Sequence, residues 1–515
     1  MWQQLKQLGK HSAIYGLGNI ASSVLSLLLV PLYTHKLTPA DFGLYSLLIT
    51  IYGLIGVVID FGLTNSLARY YFDTTPNVTP QQLLEKRQSL LSTTFILSIF
   101  FAMTIGGSIL ATSSWLSFAL LNHVEYAPFV RILTVTLIVR GITTIPLTYL
   151  RLTERPLLFS LLTVGQLLIF LILNIIFLIL HNKGVEGILT SLLISNVFYA
   201  IGLLIAIKGD WNFHVDFAIV RELLAFGIPL LPVALMIWVI DLSDRYLLLR
   251  FTDLNEVGIY SLGYKFGQCM TFVVTAFTLA WVPLRFNILS LAEPQVIYGR
   301  VATFYLAGAG CVWLLMALAA REIIRLTSPP EFAQAAIFIA PVAMAYLIYG
   351  LFVLAITGIG VAKNAASLPL IAITAAIFNI SLNVWLIPKM GAIASAYATI
   401  AAYIALTLGS LWASHRLYPI HYEYRKMALI FAAMLVLGIG GAQLETWLSW
   451  PLWTMIPLNL LIFALYFAAV FAVGLLRRDE AAKLLNLAAR FAPAPFKGRL
   501  TRAAAKKVTG EMRPL

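Results

Sequence analysis

Charged side chains are scarce in this chain. Asp, Glu, Lys and Arg make up 11% of its 515 residues, whereas a soluble globular protein contains about 25%. Hydrophobic residues make up 60% of the chain, and the mean hydropathy is +0.89. The composition therefore excludes a soluble domain and predicts a protein whose solvent is mostly lipid.

Cysteine is also rare, and so are patterns that carry catalysis. The two cysteines, Cys269 and Cys311, lie in apolar segments, which predicts neither a disulfide framework nor a cysteine metal site. The sequence shows no metal-ligand spacing, no Gly-rich phosphate loop and no nucleophile–base pair. We expect a protein that is not an enzyme and that binds no cofactor and no metal.

Long apolar runs dominate the chain instead. A membrane-spanning helix needs about 20 mostly apolar residues, and such runs predict an all-α integral membrane protein. No loop between them has room for a soluble catalytic domain. The fourteen predicted spans lie near 12–34, 41–66, 89–113, 126–149, 156–180, 185–207, 222–250, 257–281, 299–320, 334–357, 365–388, 390–413, 427–444 and 450–475.

The positive charges predict the orientation of these spans. The formal net charge is +13, and most of the 35 Lys and Arg residues fall in cytoplasmic segments if the N-terminus is cytoplasmic. The external loops 114–125 and 445–450 then carry no Lys or Arg. We therefore predict a multi-pass protein of the inner or plasma membrane with both termini in the cytoplasm, and no binding to nucleic acid.

The chain also resembles itself. Gly43, Tyr45, Ser46 and Leu47 recur in the same order after the seventh span, and a second echo pairs residues 187–191 with 391–395. The repeat unit is six helices, so the two copies are parallel and related by an axis along the membrane normal. The predicted regions are an N-lobe (1–208), a C-lobe (209–415), two further spans (416–476) and a basic tail (477–515).

Four short segments resemble the signatures of a known family. In the second half these are DRYLL at 244–248 and VGIYSLGYK at 257–265; in the first half they are PLY to GLY at 31–45 and DFGL to ARYY at 60–71. The chain resembles the polysaccharide biosynthesis flippases, whose superfamily also holds the multidrug and toxin extruders and the lipid II flippases. This resemblance implies two six-helix lobes around a central cavity. It also implies flipping of an undecaprenyl-diphosphate-linked oligosaccharide for surface polysaccharide synthesis, with membrane lipid and other assembly proteins as partners.

Charged residues inside spans are costly and mark candidate functional sites. The cations are predicted to bind the substrate diphosphate, since Arg matches phosphate geometry with a rigid fork and Lys supplies a point charge. The acids, with two prolines that predict a kink in the seventh span, are assigned to coupling or gating. The cations are Arg131, Arg140, Arg245 and Lys265; the other group is Asp60, Asp241, Asp244, Pro229 and Pro232.

Structural roles compete with some of these assignments. Asp241 and Arg245 share a helix face and could neutralise each other, and Arg131 could extend toward the external surface. Asp60 is either an inter-helix lock or a coupling carboxylate. Helix rise places it about 10–15 Å from Arg140 in depth, so Arg140 is expected to have no carboxylate partner and to contact the diphosphate.

Three other functions stay open at this point. A drug or cation exporter of the same superfamily usually has twelve spans and an acidic cavity. A membrane glycosyl polymerase or ligase shares the lipid-linked substrate but resembles chains with a large external loop. A scramblase without energy coupling would need the same fold.

The basic tail generates a first test. We expect a reporter fused after Arg478 to be active only in the cytoplasm, because the tail is rich in Lys and Arg. We also expect deletion of residues 479–515 to leave polysaccharide export unchanged at equal protein level, because the tail lies beyond the repeats. External activity of the reporter would contradict the orientation, and loss of export would contradict the dispensable tail.

Overall fold

The computed structural model describes residues 25–72, 79–211, 215–362, 364, 367–448 and 452–474. These residues are helical, with no strand among them, and residues 25–36 belong to a helix that precedes those named next. The helices are α1 Pro39–Asp60, α2 Leu63–Tyr71, α3 Pro80–Ala111, α4 Ser113–Leu121, α5 Ala127–Leu152, α6 Pro156–Ile175, α7 Gly184–Ala206, α8 Phe217–Gly227, α9 Leu231–Phe251, α10 Leu254–Gly267, α11 Met270–Ile288, α12 Pro294–Thr327, α13 Ala336–Ala355, α14 Thr357–Val361, α15 Leu368–Met390, α16 Ile393–Leu417, α17 Tyr424–Leu448 and α18 Leu452–Ala472.

Twelve helical segments of the described chain are long and apolar enough to cross a membrane. They coincide with the second to thirteenth predicted spans, so the all-α membrane fold class is confirmed. Most of the first predicted span lies outside the described residues. The last predicted span contains a shorter apolar helix, Ile456–Ala472, and the total of fourteen stays a prediction.

Local sequence explains where several helices begin. The Thr38 side chain accepts a hydrogen bond from the Asp41 backbone N–H, and the Asp41 carboxylate accepts one from the Thr38 N–H, which forms a capping box at the start of α1. Thr79 and Gln82 form the same box at the start of α3. Both helices then begin with proline, whose fixed φ and missing N–H suit the first helical position.

Contacts divide the described chain into two compact units. The first unit comprises the chain up to Gln268 with Arg321–Ala345 and Ala366–Leu406, and the second comprises Cys269–Ala320, Tyr346–Ala365 and the chain from Thr407. The division into lobes at 1–208 and 209–415 stays a prediction. The site described below lies wholly within the first unit.

Two helix breaks in the first unit meet each other. After Asp60 the chain turns through Phe61 and Gly62, both with left-handed backbones (φ 47° and 72°). A Cβ atom at Gly62 would lie 2.5 Å from the carbonyl oxygen of Gly227, and one at Gly227 would overlap the carbonyl oxygen of Phe61. The two glycines therefore let this turn cross the end of α8, where the seventh predicted span is also interrupted.

That second interruption is the 3₁₀ turn Ile228–Leu230 between α8 and α9. Pro229 lies within the turn and Pro232 within the first turn of α9, so an interruption of the α-helix lies where these prolines predict a kink. Buried apolar side chains hold the neighbouring α2 in place, including Leu63, Leu67, Leu90, Leu91, Ile145, Leu203 and Leu223.

The glycine crossing generates a stability test. We expect Gly62→Ala to destabilise the protein, because a left-handed backbone costs a residue with a Cβ about 1–2 kcal/mol and the new methyl group meets the backbone of Gly227. Thermal denaturation in detergent should show a lower Tm. Gly107→Ala is the matched control, since a Cβ there has nothing within 4 Å. Equal Tm values for the two variants would contradict the close backbone contact between Gly62 and Gly227.

Candidate substrate site

A cavity of about 310 Å³ opens beside these helix breaks. It lies between the end of α1, the start of α2, the middle of α5, and the start of α9, with one residue from α3. Its volume is at the lower end of the range for small-molecule sites, about 300–1,000 Å³. The lining residues are Gly56, Val57, Ile59, Asp60, Gly62, Thr64, Asn65, Ser98, Leu137, Arg140, Gly141, Thr144, Leu230, Leu231 and Ala234.

Arg140 is the cation of this cavity. It lies on α5, is half-buried, and its guanidinium rests against Gly56 of α1, where a Cβ would come within 2.9 Å of Nη1. The guanidinium carbon lies 5.2 Å from the centre of the Tyr52 ring, within the range of a cation–π interaction. Among the residues that the structure describes, no carboxylate forms an ion pair with Arg140. The Tyr52 ring contacts its guanidinium, and Asp60 interacts with it electrostatically at longer range.

Asp60 lines the same cavity as Arg140, and the difference in depth expected from the sequence stays a prediction. Its Oδ1 atom accepts a hydrogen bond of 2.6 Å from the Thr64 hydroxyl. Gly56, which contacts Arg140, precedes Asp60 by four residues of α1, about 6 Å of helix rise.

Uncharged polar groups complete the cavity. Thr64 and Asn65 enter from α2, Thr144 from the turn of α5 after Arg140, and Ser98 from α3, where its hydroxyl donates to the carbonyl of Gly141 at 2.9 Å. Sequence reasoning missed these residues. The available signal was the helix break implied by Phe61 and Gly62, because irregular backbone at membrane depth is tolerated where it lines a cavity.

Arg245 and Asp244 lie in a separate buried cluster. An Arg245 Nη1 atom lies 3.3 Å from Asp244 Oδ1, and the two residues are 6% and 0% exposed. The Tyr260 hydroxyl donates a hydrogen bond to the other Asp244 oxygen, and the guanidinium lies 4.2 Å from the centre of the Tyr264 ring. The ion pair that the structure describes therefore joins two residues adjacent in sequence, Asp244 and Arg245. The Asp241 side chain lies outside the described residues, so the pairing of Asp241 with Arg245 stays a prediction.

The remaining predicted cations lie elsewhere. Lys265 is half-buried, with its ammonium 6.0 Å from the centre of the Tyr33 ring. Arg131 is exposed, and its Nε donates to the Ser113 hydroxyl at 2.9 Å. The structure thus brings Arg140 and Asp60 together, while the cavity lining that it describes includes neither of these two cations nor Arg245.

The helical layout has counterparts among solved structures. The lipid II flippase MurJ in an inward closed conformation superposes with a TM-score of 0.66 at 12% identity, over 89% of this chain and 99% of that chain. An inward-facing multidrug resistance MATE transporter of the MOP superfamily gives 0.63 at 15% identity, over 77% and 94%. The bent form of the Vibrio cholerae MATE transporter VcmN gives 0.52 at 16% identity, over 80% and 98%. The fold is that of the membrane transporters and flippases of this superfamily.

A family model also identifies the family of this chain. Residues 8–288 match the model of the polysaccharide biosynthesis protein family, and the chain belongs to that family. This match confirms the resemblance identified from the signature segments. A comparison with curated proteins gives no significant match.

The buried cluster generates a test of its own. We expect Asp244→Asn to destabilise the protein by about 3–5 kcal/mol, because the substitution breaks a buried ion pair and removes the carboxylate that accepts from Tyr260. Protein level and the Tm in detergent should both fall. Adding Arg245→Gln to the same chain should recover much of the loss.

Glu125→Gln is the control for that pair, because the Glu125 side chain is 70% exposed and its loss should leave stability nearly unchanged. A double variant less stable than Asp244→Asn alone would contradict mutual neutralisation of the two buried charges.

Proposed function

We propose that this protein flips an undecaprenyl-diphosphate-linked oligosaccharide from the cytoplasmic to the external leaflet by alternating access, for cell-surface polysaccharide synthesis. Family membership and the superfamily fold support a membrane transporter. The observation that carries the finer assignment is Arg140, a cavity-lining cation without an ion-paired carboxylate in the described chain. The predicted orientation puts this cavity toward the cytoplasm, where the substrate is made available.

The chemistry of the cavity suits one part of such a substrate. Arg140 can donate two parallel hydrogen bonds to a phosphate, and its charge offsets that of the diphosphate. Asp60 has one carboxylate oxygen beyond the atom that accepts from Thr64, and it can accept from sugar hydroxyls, as can Asn65 and Thr144. A volume of about 310 Å³ has room for the phosphate region and the sugar beside it, and the rest of the substrate extends outside.

The other predicted residues take separate places in the proposal. Lys265 and Arg245 do not line the cavity, and we assign Lys265 to a later stage of transport. Pro229 and Pro232 flank Leu230 and Leu231 of the cavity wall, so movement at this interruption would change the cavity. Asp60 is the coupling candidate, since it shares the cavity with Arg140.

A cation exporter is the second candidate function, and Asp60 is the observation that favours it. A carboxylate in a membrane cavity attracts organic cations. The two functions make opposite demands on the cavity. An exporter needs Asp60 and gains from loss of Arg140, whereas a diphosphate flippase needs Arg140.

Arg140 therefore provides the test. We expect Arg140→Ala to reduce export of surface polysaccharide by about tenfold to a hundredfold, because charge-assisted hydrogen bonds contribute about 1.5–3 kcal/mol. Arg140→Lys should restore part of the export, since it returns the charge without the fork. Export is measured as surface polysaccharide in cells lacking the native protein, with the level of inserted protein determined in parallel.

Arg151→Ala is the matched control on the same helix, because Arg151 is exposed and bonds the Thr148 hydroxyl within its own helix. Gly56→Leu is a second variant, which should displace the guanidinium without removing it. Normal export by Arg140→Ala would overturn the site. Export of organic cations that depends on Asp60 and survives Arg140→Ala would favour the exporter.

A further inference from the structure

Two arginines lie at the end of α2 that points away from the cavity. The Arg69 guanidinium carbon is 4.4 Å from the centre of the Phe226 ring and 5.8 Å from the centre of the Tyr70 ring. The Arg87 guanidinium carbon is 4.5 Å from the centre of the Tyr71 ring. Aromatic rings therefore hold both cations, at distances within the range of cation–π interactions.

The donors of these two guanidinium groups are left for another partner. Within the part of the chain that the structure describes, neither Arg69 nor Arg87 forms an ion pair, and the buried Nε atom of Arg87 has no hydrogen-bond partner. Asp210, a nearby acid, accepts instead from Arg155 at 2.7 and 3.1 Å. A ring held against a guanidinium offsets its charge but leaves most of its N–H donors without an acceptor, so each arginine keeps the planar fork that matches a phosphate.

Contacts with α8 fix the position of this end of α2. The Ser66 hydroxyl donates to the Leu223 carbonyl at 2.8 Å, and the Tyr70 hydroxyl donates to the Glu222 carbonyl at 3.4 Å. The rings on either side of Arg69 thus belong to two helices that are tied together. This arrangement holds the guanidinium in place before any anion binds.

The same end of α2 is close to the candidate substrate cavity. Asn65 lines the cavity, and Arg69 lies four residues further along α2, about 6 Å by helix rise and on the same helix face. Arg69 is exposed. A phosphate bound to it would therefore be about one helical turn outside the cavity that contains Arg140.

We propose that Arg69 and Arg87 form a capture site for the diphosphate of the lipid-linked substrate, outside the Arg140 cavity. This proposal rests on the flippase function and on the predicted orientation, which puts this end of α2 at the cytoplasmic face. Lipid phosphates lie in the headgroup region at that face. Two cations favour a diphosphate over the single phosphate of an ordinary phospholipid, because the diphosphate carries more negative charge. The captured group then moves along α2 to Arg140.

The experiment isolates this site by removing the cavity cation. The probe is sugar-free undecaprenyl diphosphate, titrated onto the full-length Arg140→Ala protein in detergent and measured by native mass spectrometry. We expect Arg69→Ala in that background to weaken binding by about tenfold to a hundredfold, because charge-assisted hydrogen bonds are lost. Arg69→Lys should restore only part of the affinity, since lysine returns the charge without the fork.

Arg151→Ala in the same background is the matched control. Arg151 is also exposed, but it bonds the Thr148 hydroxyl within its own helix, so its loss should leave binding unchanged. Arg87→Ala should weaken binding like Arg69→Ala. Because Arg87 is half-buried against Tyr71, its Tm in detergent is measured in parallel, and the exposed Arg69 provides the test if Arg87→Ala fails to accumulate.

Unchanged binding after Arg69→Ala, or full recovery with Arg69→Lys, would overturn the site. Displacement of the probe by an equal concentration of phosphatidylglycerol would overturn the capture role, because it would show a contact for any anionic lipid. Binding of the sugar-free lipid needs no transport. An error in the flippase function would therefore appear as normal export by Arg140→Ala, while the binding result stands.

Discussion

A lipid solvent offers no hydrogen bonds to the backbone, and this constraint shapes the protein. Each N–H and C=O group at membrane depth needs a partner within the chain, which is why the described residues are helical. Departures from the helix are tolerated where protein covers them or where they line a cavity. The turn after Asp60 and the 3₁₀ turn at Pro229 are such departures, and they adjoin the cavity that holds Arg140. Both the glycine crossing and the candidate site follow from the same pair of breaks.

The first unit accommodates membrane charges in two different ways. Arg245 is nearly inaccessible and is neutralised by Asp244, with two tyrosine rings against the guanidinium. Arg140 instead lies against a glycine and one ring, and Asp60 lines the same cavity without forming an ion pair with it. The first arrangement stabilises a fold because it leaves no charge available. The second arrangement leaves the Arg140 charge to be neutralised by whatever enters the cavity. This difference separates a structural cation, Arg245, from a candidate substrate-binding residue, Arg140.

Hydropathy predicted the spans well, because a run of about 20 apolar residues is sufficient evidence for a helix in lipid. The interruption of the helix at Pro229 and Pro232 was equally predictable from the sequence, since proline removes a backbone hydrogen-bond donor. The sequence distinguished Arg140, which has no acid within four residues, from Arg245, which has Asp241 and Asp244 nearby. It could not show that Asp244 pairs with Arg245, because that pairing depends on side-chain rotamers. It also could not reveal Ser98 or Thr144, whose ordinary polar side chains become informative only when helix packing brings them to one cavity.

The starts of α1 and α10 contact each other through two glycines, since a Cβ at Gly43 would overlap the carbonyl oxygen of Leu254 and one at Gly258 that of Pro39. This reciprocal contact has a consequence for biogenesis. Gly43 and its partner glycine are separated by roughly 215 residues, and a ribosome adds about 5–20 residues per second. The surface of α1 that contacts α10 is thus complete roughly 10–40 s before its counterpart is synthesised. During that interval the early helices occupy the bilayer with their glycine face uncovered by its final neighbour. Because the late helix brings the same surface, the nascent N-terminal half could pair with another newly made copy of itself, and synthesis of the second half within the same chain favours the intramolecular partner.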